Sequence, residues 1–392
     1  MAARAVRGLI DGMASVLLPF HLTALGYGPL EIGALVAAAQ LGSAALTLGV
    51  GLVGDRLPAR GVLYGACGLM ALTGLGFCTL DALGPLLLIA FVGTLNPSGG
   101  DVSVFLPTEQ ALLAEASDPD DRTALFARYN LYGGLAGALG ALASGLPGRA
   151  AGALGVDAAA MQRLAFAGYA LGAPLLVALY RGLPPRRAAR AGAPQPRAPL
   201  ARSRRVVLGL SALFSLDSFG GGLVGQSLLA LWLFQRFGLS PEAAGAILFA
   251  ANALAAGSQL VSPALAARIG LVRTMVFTHV PANALLVLAA FMPNATSSVA
   301  CLLLRMALSQ MDVPARQSLV MTLVPPEERA AAAGVTNVPR SLAAALAAGP
   351  AGAMLAASSF GWPLVVGGGL KIAYDLLLFA GFRARDPSVP DG

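Results

Sequence analysis

Polar and apolar residues follow one another along this chain in long blocks. Neither the two-residue period of a half-buried strand nor the mixed faces of a soluble helix dominates. Twelve predominantly apolar windows are read at 6–25, 31–53, 61–80, 85–113, 123–146, 162–180, 206–235, 241–265, 272–292, 297–323, 330–357 and 362–382. Each is long enough to cross a bilayer as a helix. Backbone groups in lipid must bond internally, which leaves helices or a closed barrel. Barrel strands are about ten alternating residues, and these windows are longer and more continuous. The pattern predicts an all-α polytopic membrane protein with twelve transmembrane helices.

Composition agrees. The chain is 57% hydrophobic and 11% charged, against about 25% charged in soluble domains, too little polar material for a solvated shell. The net charge of +7 comes from arginines gathered in loops without aromatic interleaving, so nucleic acid is not an expected partner. Cys67, Cys78 and Cys301 fall inside predicted spans and read as small apolar groups, not as a disulfide frame or metal site. The first window contains Asp11 and lacks a small-residue cleavage site, so it reads as a retained span.

Arginines also give orientation. Arg4, Arg7, Arg56, Arg60, Arg122, Arg128, Arg268, Arg273, Arg329, Arg383, Arg385 and the basic run between spans six and seven lie on one side. Only Arg149, Arg163 and Arg236 lie on the other. The positive-inside rule then puts both termini in the cytoplasm. Trp232, Trp362 and Tyr27 fall near the predicted outer ends, where aromatic side chains prefer to sit. With 26 Lys and Arg, of which only Lys371 is lysine, the composition points to a GC-rich bacterial genome and hence to a bacterial inner membrane.

The Pro-, Ala- and Arg-rich segment 182–205 reads as a cytoplasmic tether between a six-helix bundle at 1–181 and another at 206–392. The halves resemble each other. LGYGPLEIGAL (25–35) matches FGLSPEAAGAI (237–247), with Gly26/Gly238, Pro29/Pro241 and Gly33/Gly245 in register. PTEQ (107–110) matches PARQ (314–317), DPDDR (118–122) matches PPEER (325–329), and Asn130 matches Asn337. Such repeats are how many transporters build two halves that rock around a central site.

Between spans two and three stands Gly51-Leu52-Val53-Gly54-Asp55-Arg56-Leu57-Pro58-Ala59-Arg60. It resembles the loop signature of the major facilitator superfamily, roughly Gly-x-x-x-Asp-Arg-x-Gly-Arg-Arg, departing at Pro58 and Ala59. The Ala348–Gly352 stretch, AGPAG, resembles the Gly-Pro packing motif of antiporter-type members, although it lies on span eleven and not five. The resemblance implies two pseudo-symmetric six-helix bundles, alternating access, and a cavity lined by spans one, four, seven and ten. It assigns Gly51, Asp55, Arg56 and Arg60 to a cytoplasmic gate. The six residues Gly49-Val50-Gly51-Leu52-Val53-Gly54 also spell a dinucleotide-binding fingerprint, but no strand precedes them and Asp55 would repel a phosphate.

Ionisable side chains at bilayer depth cost about 2.5–3.5 kcal/mol each on insertion scales and call for a reason. Span one carries Asp11, span four Asp101 and Glu109, span seven Asp217, and span ten Arg305, Asp312 and Arg316. These are the spans that the resemblance places around the cavity, and the seven residues are the expected substrate and proton pathway. Arg305 and Asp101 count to mid-depth. Arg305 is a candidate anchor for an anionic group, and Asp101 a candidate proton carrier that Arg305 would switch. Glu109 and Arg316 occupy equivalent places in the repeat and read either as pathway residues or as an ion pair between the halves. Lys371 and Asp375, four apart in span twelve, read as a local pair. Asn130 and Asn337 are expected to bond across helices, and His21 and His279 are too isolated for a catalytic pair.

The expected function is secondary active transport of a small organic solute, with proton-coupled efflux as the first reading and uptake or exchange of an organic anion held by Arg305 as the second. No catalytic constellation and no cofactor are expected. The expected partners are a small-molecule substrate, protons and the lipid bilayer, with the chain working as a monomer.

Overall fold

A computed structural model describes residues 1–53, 57–98, 103–115, 122–183, 202–325 and 328–383. Asp55, Arg56 and Asp101 lie outside the described residues. The described residues form helices and no strand. In chain order these are α1 (Ala2–Ala24), α2 (Pro29–Val53), α3 (Ala59–Thr79), α4 (Leu83–Val92), α5 (Leu106–Glu115), α6 (Arg122–Ala143), α7 (Leu146–Leu154) and α8 (Ala158–Arg181). The second half contributes α9 (Arg204–Gly222), α10 (Gln226–Phe237), α11 (Pro241–Ile269), α12 (Leu271–Phe291), α13 (Ala295–Ser309), α14 (Asp312–Leu323), α15 (Arg329–Ala357) and α16 (Trp362–Phe382). Among the described residues, nine helices are long and apolar enough to cross a membrane. The sixteen helices fall within or beside the twelve windows, an arrangement consistent with twelve spans.

Three of the extra helices arise where windows four, seven and ten break, and the fourth, α7, lies between windows five and six. In window four, α4 and α5 are separated by an irregular stretch containing Pro97, with Pro107 accommodated in the first turn of α5. In window seven, Gly220-Gly221-Gly222 ends α9 and Gly225 caps α10. In window ten, Pro314 lacks the N–H that would bond the Gln310 carbonyl, and the helix parts at Gln310–Met311.

The chain forms two compact units, 1–192 with 225–249, and 193–224 with 250–392. In the first, α1 packs along α6 and α8, α3 along α8, and α2 along α4, while α10 joins them against α1. In the second, α9 packs along α15 and α16, and α12 along α13, α14 and α16. Small residues permit the close approach. A Cβ on Gly140 would overlap the Leu9 carbonyl, so α1 and α6 meet backbone to backbone. A Cβ on Gly222 would likewise overlap the Ala344 carbonyl of α15. The repeat is visible in local conformation: Gly26 (φ 90°) and Gly238 (φ 66°) hold equivalent left-handed turns before α2 and α11.

Prolines inside helices free carbonyls, and serines on neighbouring helices answer them. Pro19 leaves the Ser15 carbonyl without its intrahelical donor, and Ser227 Oγ donates to it at 2.5 Å. Ser227 also donates to the Pro97 carbonyl, from its backbone N–H at 3.1 Å and from Oγ at 2.9 Å. In the second unit Pro339 frees the Val335 carbonyl, and Ser211 Oγ donates to it at 2.8 Å. The outward surface is apolar, with Leu260 82% exposed and Leu88 and Leu171 also open, as a lipid-facing surface requires. Trp232 departs from expectation: it is fully buried, not at an interfacial belt, because α10 is packed into the first unit and its ring meets Phe237.

Replacing Gly140 by Leu should lower the thermal unfolding midpoint of the purified protein, because overpacking of this kind costs about 1–3 kcal/mol. On the same helix, Gly134 has nothing within 4 Å of the place a Cβ would occupy, and it should accept Leu without loss. Equal midpoints for the two variants would contradict the α1–α6 packing.

Candidate functional site

Among the described residues, each unit holds one buried cluster of charge. In the first unit, Arg7 of α1 is 1% exposed. Its guanidinium pairs with Glu109 of α5, donates to Ser103 Oγ at 3.0 Å and to Tyr129 OH at 3.3 Å, and lies over the Phe105 ring. Glu109 also accepts from the hydroxyls of Tyr129 and of Tyr180, the latter at 2.6 Å. One cation faces one anion, and three hydroxyls bond to the pair, while the Arg7 Nε is buried without a partner. The pair is neutral in charge.

The second cluster is larger. Asp217 of α9 accepts from Lys371 Nζ at 2.5 Å on one carboxylate oxygen and from Arg316 Nη1 at 3.2 Å on the other. Arg316 also pairs with Asp312, one turn before it on α14, at 3.2 Å. His279 of α12 places Nδ1 2.9 and 3.0 Å from the two oxygens of Asp375 and Nε2 3.9 Å from Asp217. Asn283 donates to Asp375 at 3.4 Å.

The seven expected pathway residues therefore divide. Asp217, Asp312 and Arg316 meet in the second unit. Glu109 and Arg316, equivalent in the repeat, each find their partner inside their own unit: Arg7 for the one, Asp217 and Asp312 for the other. Asp11 is half-buried and accepts from Tyr169 OH at 3.3 Å. Arg305 is half-buried on α13, and its contact is a donation to the Met306 sulfur at 3.3 Å. Among the described residues no carboxylate lies within 4 Å of its guanidinium, and its Nε is buried without a partner. The Arg305–Asp101 switch falls on a residue outside the described set.

Of the gate residues, Gly51 lies in the last turn of α2. Arg60 donates to the carbonyls of Arg181, at 2.5 Å, and Leu183, so it closes the C-terminal end of α8, where a cation meets the negative end of the helix dipole.

Several partners differ from the sequence reading. Lys371 and Asp375 are not a local pair: one turn apart, they reach to Asp217 and His279 respectively. Asn130 is exposed, and Asn337 accepts from Arg340 of its own helix at 3.3 Å and does not bridge helices. His279, isolated along the chain, sits in the larger cluster. Arg7 reads in sequence as a topological arginine, yet it is buried in the first cluster, and Arg340, inside window eleven, is not singled out by the sequence reading. Arg340 donates to Ser218 Oγ at 3.0 Å. In the acid-acid-Arg repeat, Glu328 accepts from the backbone N–H groups of Arg202 and Ser203 at 3.0 and 3.1 Å and so holds the turn that leads into α9.

Arg7→Met would leave the Glu109 charge buried without a counter-ion and should destabilise the protein by about 3–5 kcal/mol. Adding Glu109→Gln should recover a large part of that loss. Denaturation of both variants checks it, and additive losses would contradict the pair.

Residues 1–348 match the profile of the family described as the Major Facilitator Superfamily. An uncharacterised membrane protein of Saccharomyces cerevisiae is 25% identical over 419 residues, covering 98% of this chain and 93% of its own length. Among solved structures, the nucleoside transporter NupG superposes with a TM-score of 0.76 at 15% identity, over 97% of this chain and 98% of its own. A bacterial homologue of the human lysosomal transporter Spinster, inward-facing and occupied, gives 0.75 at 14% identity over 100% and 97%. The D-xylose-proton symporter gives 0.68 at 15% identity, over 96% of each chain. At these identities the solved structures speak for the fold alone. The family match over most of the length says more: the chain belongs to the Major Facilitator Superfamily, as a multi-pass membrane transporter and not an enzyme.

Proposed function

We propose that the protein is a proton-coupled secondary transporter of a small organic anion, working by alternating access. One observation carries the reading: Arg305, inside the apolar helix α13, has no carboxylate within reach among the described residues. A guanidinium at depth is stabilised by a carboxylate or phosphate-like group that accepts its paired N–H donors. With no acid among the described residues in that role, the solute is the fitting source. Arg340 adds a second cation whose hydrogen bonds go to neutral partners, Ser218 and Asn337. An efflux direction would rest on the Ala348–Gly352 stretch. Ala348, Ala351 and Gly352 are buried in helix packing, a role that carries no direction. An anion moving together with protons needs no antiport step. The arginine asymmetry supports a bacterial inner membrane with both termini cytoplasmic, and the twofold repeat within one chain supports a monomer as the working form.

Reconstituted protein under an imposed pH gradient should accumulate one or more labelled organic anions from a panel that also holds sugars, nucleosides and organic cations. Arg305→Ala should lower kcat/KM for that anion about tenfold to a hundredfold, the worth of a lost charge-assisted hydrogen bond. Transport of a neutral or cationic solute that survives Arg305→Ala unchanged would overturn the reading.

A further inference from the structure

Counted over the groups in direct contact, the larger cluster holds more acids than cations. Asp217, Asp312 and Asp375 are three carboxylates, and Arg316 and Lys371 are the two cations that touch them. Arg340 acts on Asp217 and Asp312 through space and offsets part of the excess. Buried charge is favourable only where partners compensate it at close range. The sixth member of the contact group, His279, stands where a proton would do so.

The geometry says where that proton goes. Nδ1 of His279 faces both Asp375 oxygens, at 2.9 and 3.0 Å, so an N–H at Nδ1 is the arrangement that satisfies both groups. In the neutral ring Nε2 is then without a proton, 3.9 Å from the Asp217 oxygen that Lys371 also holds. Protonation at Nε2 turns that contact into attraction. We propose that this cluster is a proton-binding site, with His279 carrying the proton as an imidazolium held between Asp375 and Asp217.

In the binding step one N–H bond forms at Nε2 with a proton from water, and release returns it. The charged and titratable groups around the imidazole come from every neighbouring helix. Asp217 is on α9, Asp312 and Arg316 on α14, Lys371, Tyr374 and Asp375 on α16. Arg305 on α13 and Arg340 on α15 feel the Asp217 charge without touching it. Their positive field opposes the added proton, and an anion bound at Arg305 would cancel part of that opposition. Proton and anion then favour each other's binding, and the coupling is reciprocal. This link to transport rests on the reading of the protein as a proton-coupled anion carrier; the proton site itself rests on the charge count and the geometry.

The test is infrared pH-difference spectroscopy on the full-length protein in lipid nanodiscs, with ring-labelled histidine and no transported solute. One imidazolium signal should titrate, remain in His21→Gln and vanish in His279→Gln. In His279→Gln the charge deficit persists, so a protonated-carboxyl band should replace the imidazolium signal. Asp375→Asn balances the cluster without a proton and should lose both signals. The paired variant Asp217→Asn with Lys371→Met removes one charge of each sign and should keep the imidazolium, which covers the case where a single variant does not fold. An imidazolium signal that persists in Asp375→Asn, disappears in the paired variant, or is absent from the wild type across about pH 5 to 9 overturns the proposal. A wild-type signal in a protein that shows no pH-driven transport supports the proton site and defeats the transport reading.

Discussion

Every structural feature of this protein answers to one constraint: a polar group at bilayer depth must be satisfied by the protein itself. Water is not there to do it, and lipid offers nothing in exchange. The apolar helices meet the constraint with their own backbone bonds. Prolines violate it, and at Pro19 and Pro339 a serine from another helix repairs the violation. The helix breaks in windows four, seven and ten pose the same demand more severely, because each leaves backbone groups without their usual partners.

Charge obeys the same constraint with larger magnitudes, and the two buried clusters respond differently. Around Arg7 the charges cancel: one guanidinium, one carboxylate, and hydroxyls from Ser103, Tyr129 and Tyr180. A pair whose charges cancel in this way reads as structure. Among the groups in direct contact around Asp217, acids outnumber cations by one, and a histidine stands beside them. Removing one partner from a buried pair is strongly unfavourable, whereas moving a proton is fast and reversible. An open balance beside a titratable ring is therefore where function is to be sought.

Much of this is legible in the chain. Window length and hydropathy mark the helices, because the bilayer fixes how many apolar residues a span needs. Pro97, Pro314 and the glycines at 220–222 mark the breaks, because their backbone chemistry acts locally. The buried charges can be named for the same reason: an Asp or Arg in an apolar run stands out. Their partners cannot. Lys371 and Asp375 are one turn apart, so local rules pair them, yet packing brings each to a carboxylate or imidazole on another helix. The repeat correctly makes Glu109 and Arg316 equivalent but suggests that they meet each other, when equivalence within a repeat says only that each occupies the same place in its own half. Trp232 misleads because lipid-facing and protein-facing sides of a uniformly apolar helix look alike in sequence.

Ser227 carries a consequence for biosynthesis. It lies after the Arg-rich tether, yet it belongs to the first unit and closes the carbonyls of Ser15 and Pro97. Spans leave the ribosome in order, so α1 and the break in window four are made long before their donor exists. Until residues 225–249 arrive, those carbonyls need a surrogate such as trapped water or an insertion chaperone. The first unit is finished only by a segment that follows the tether in the chain.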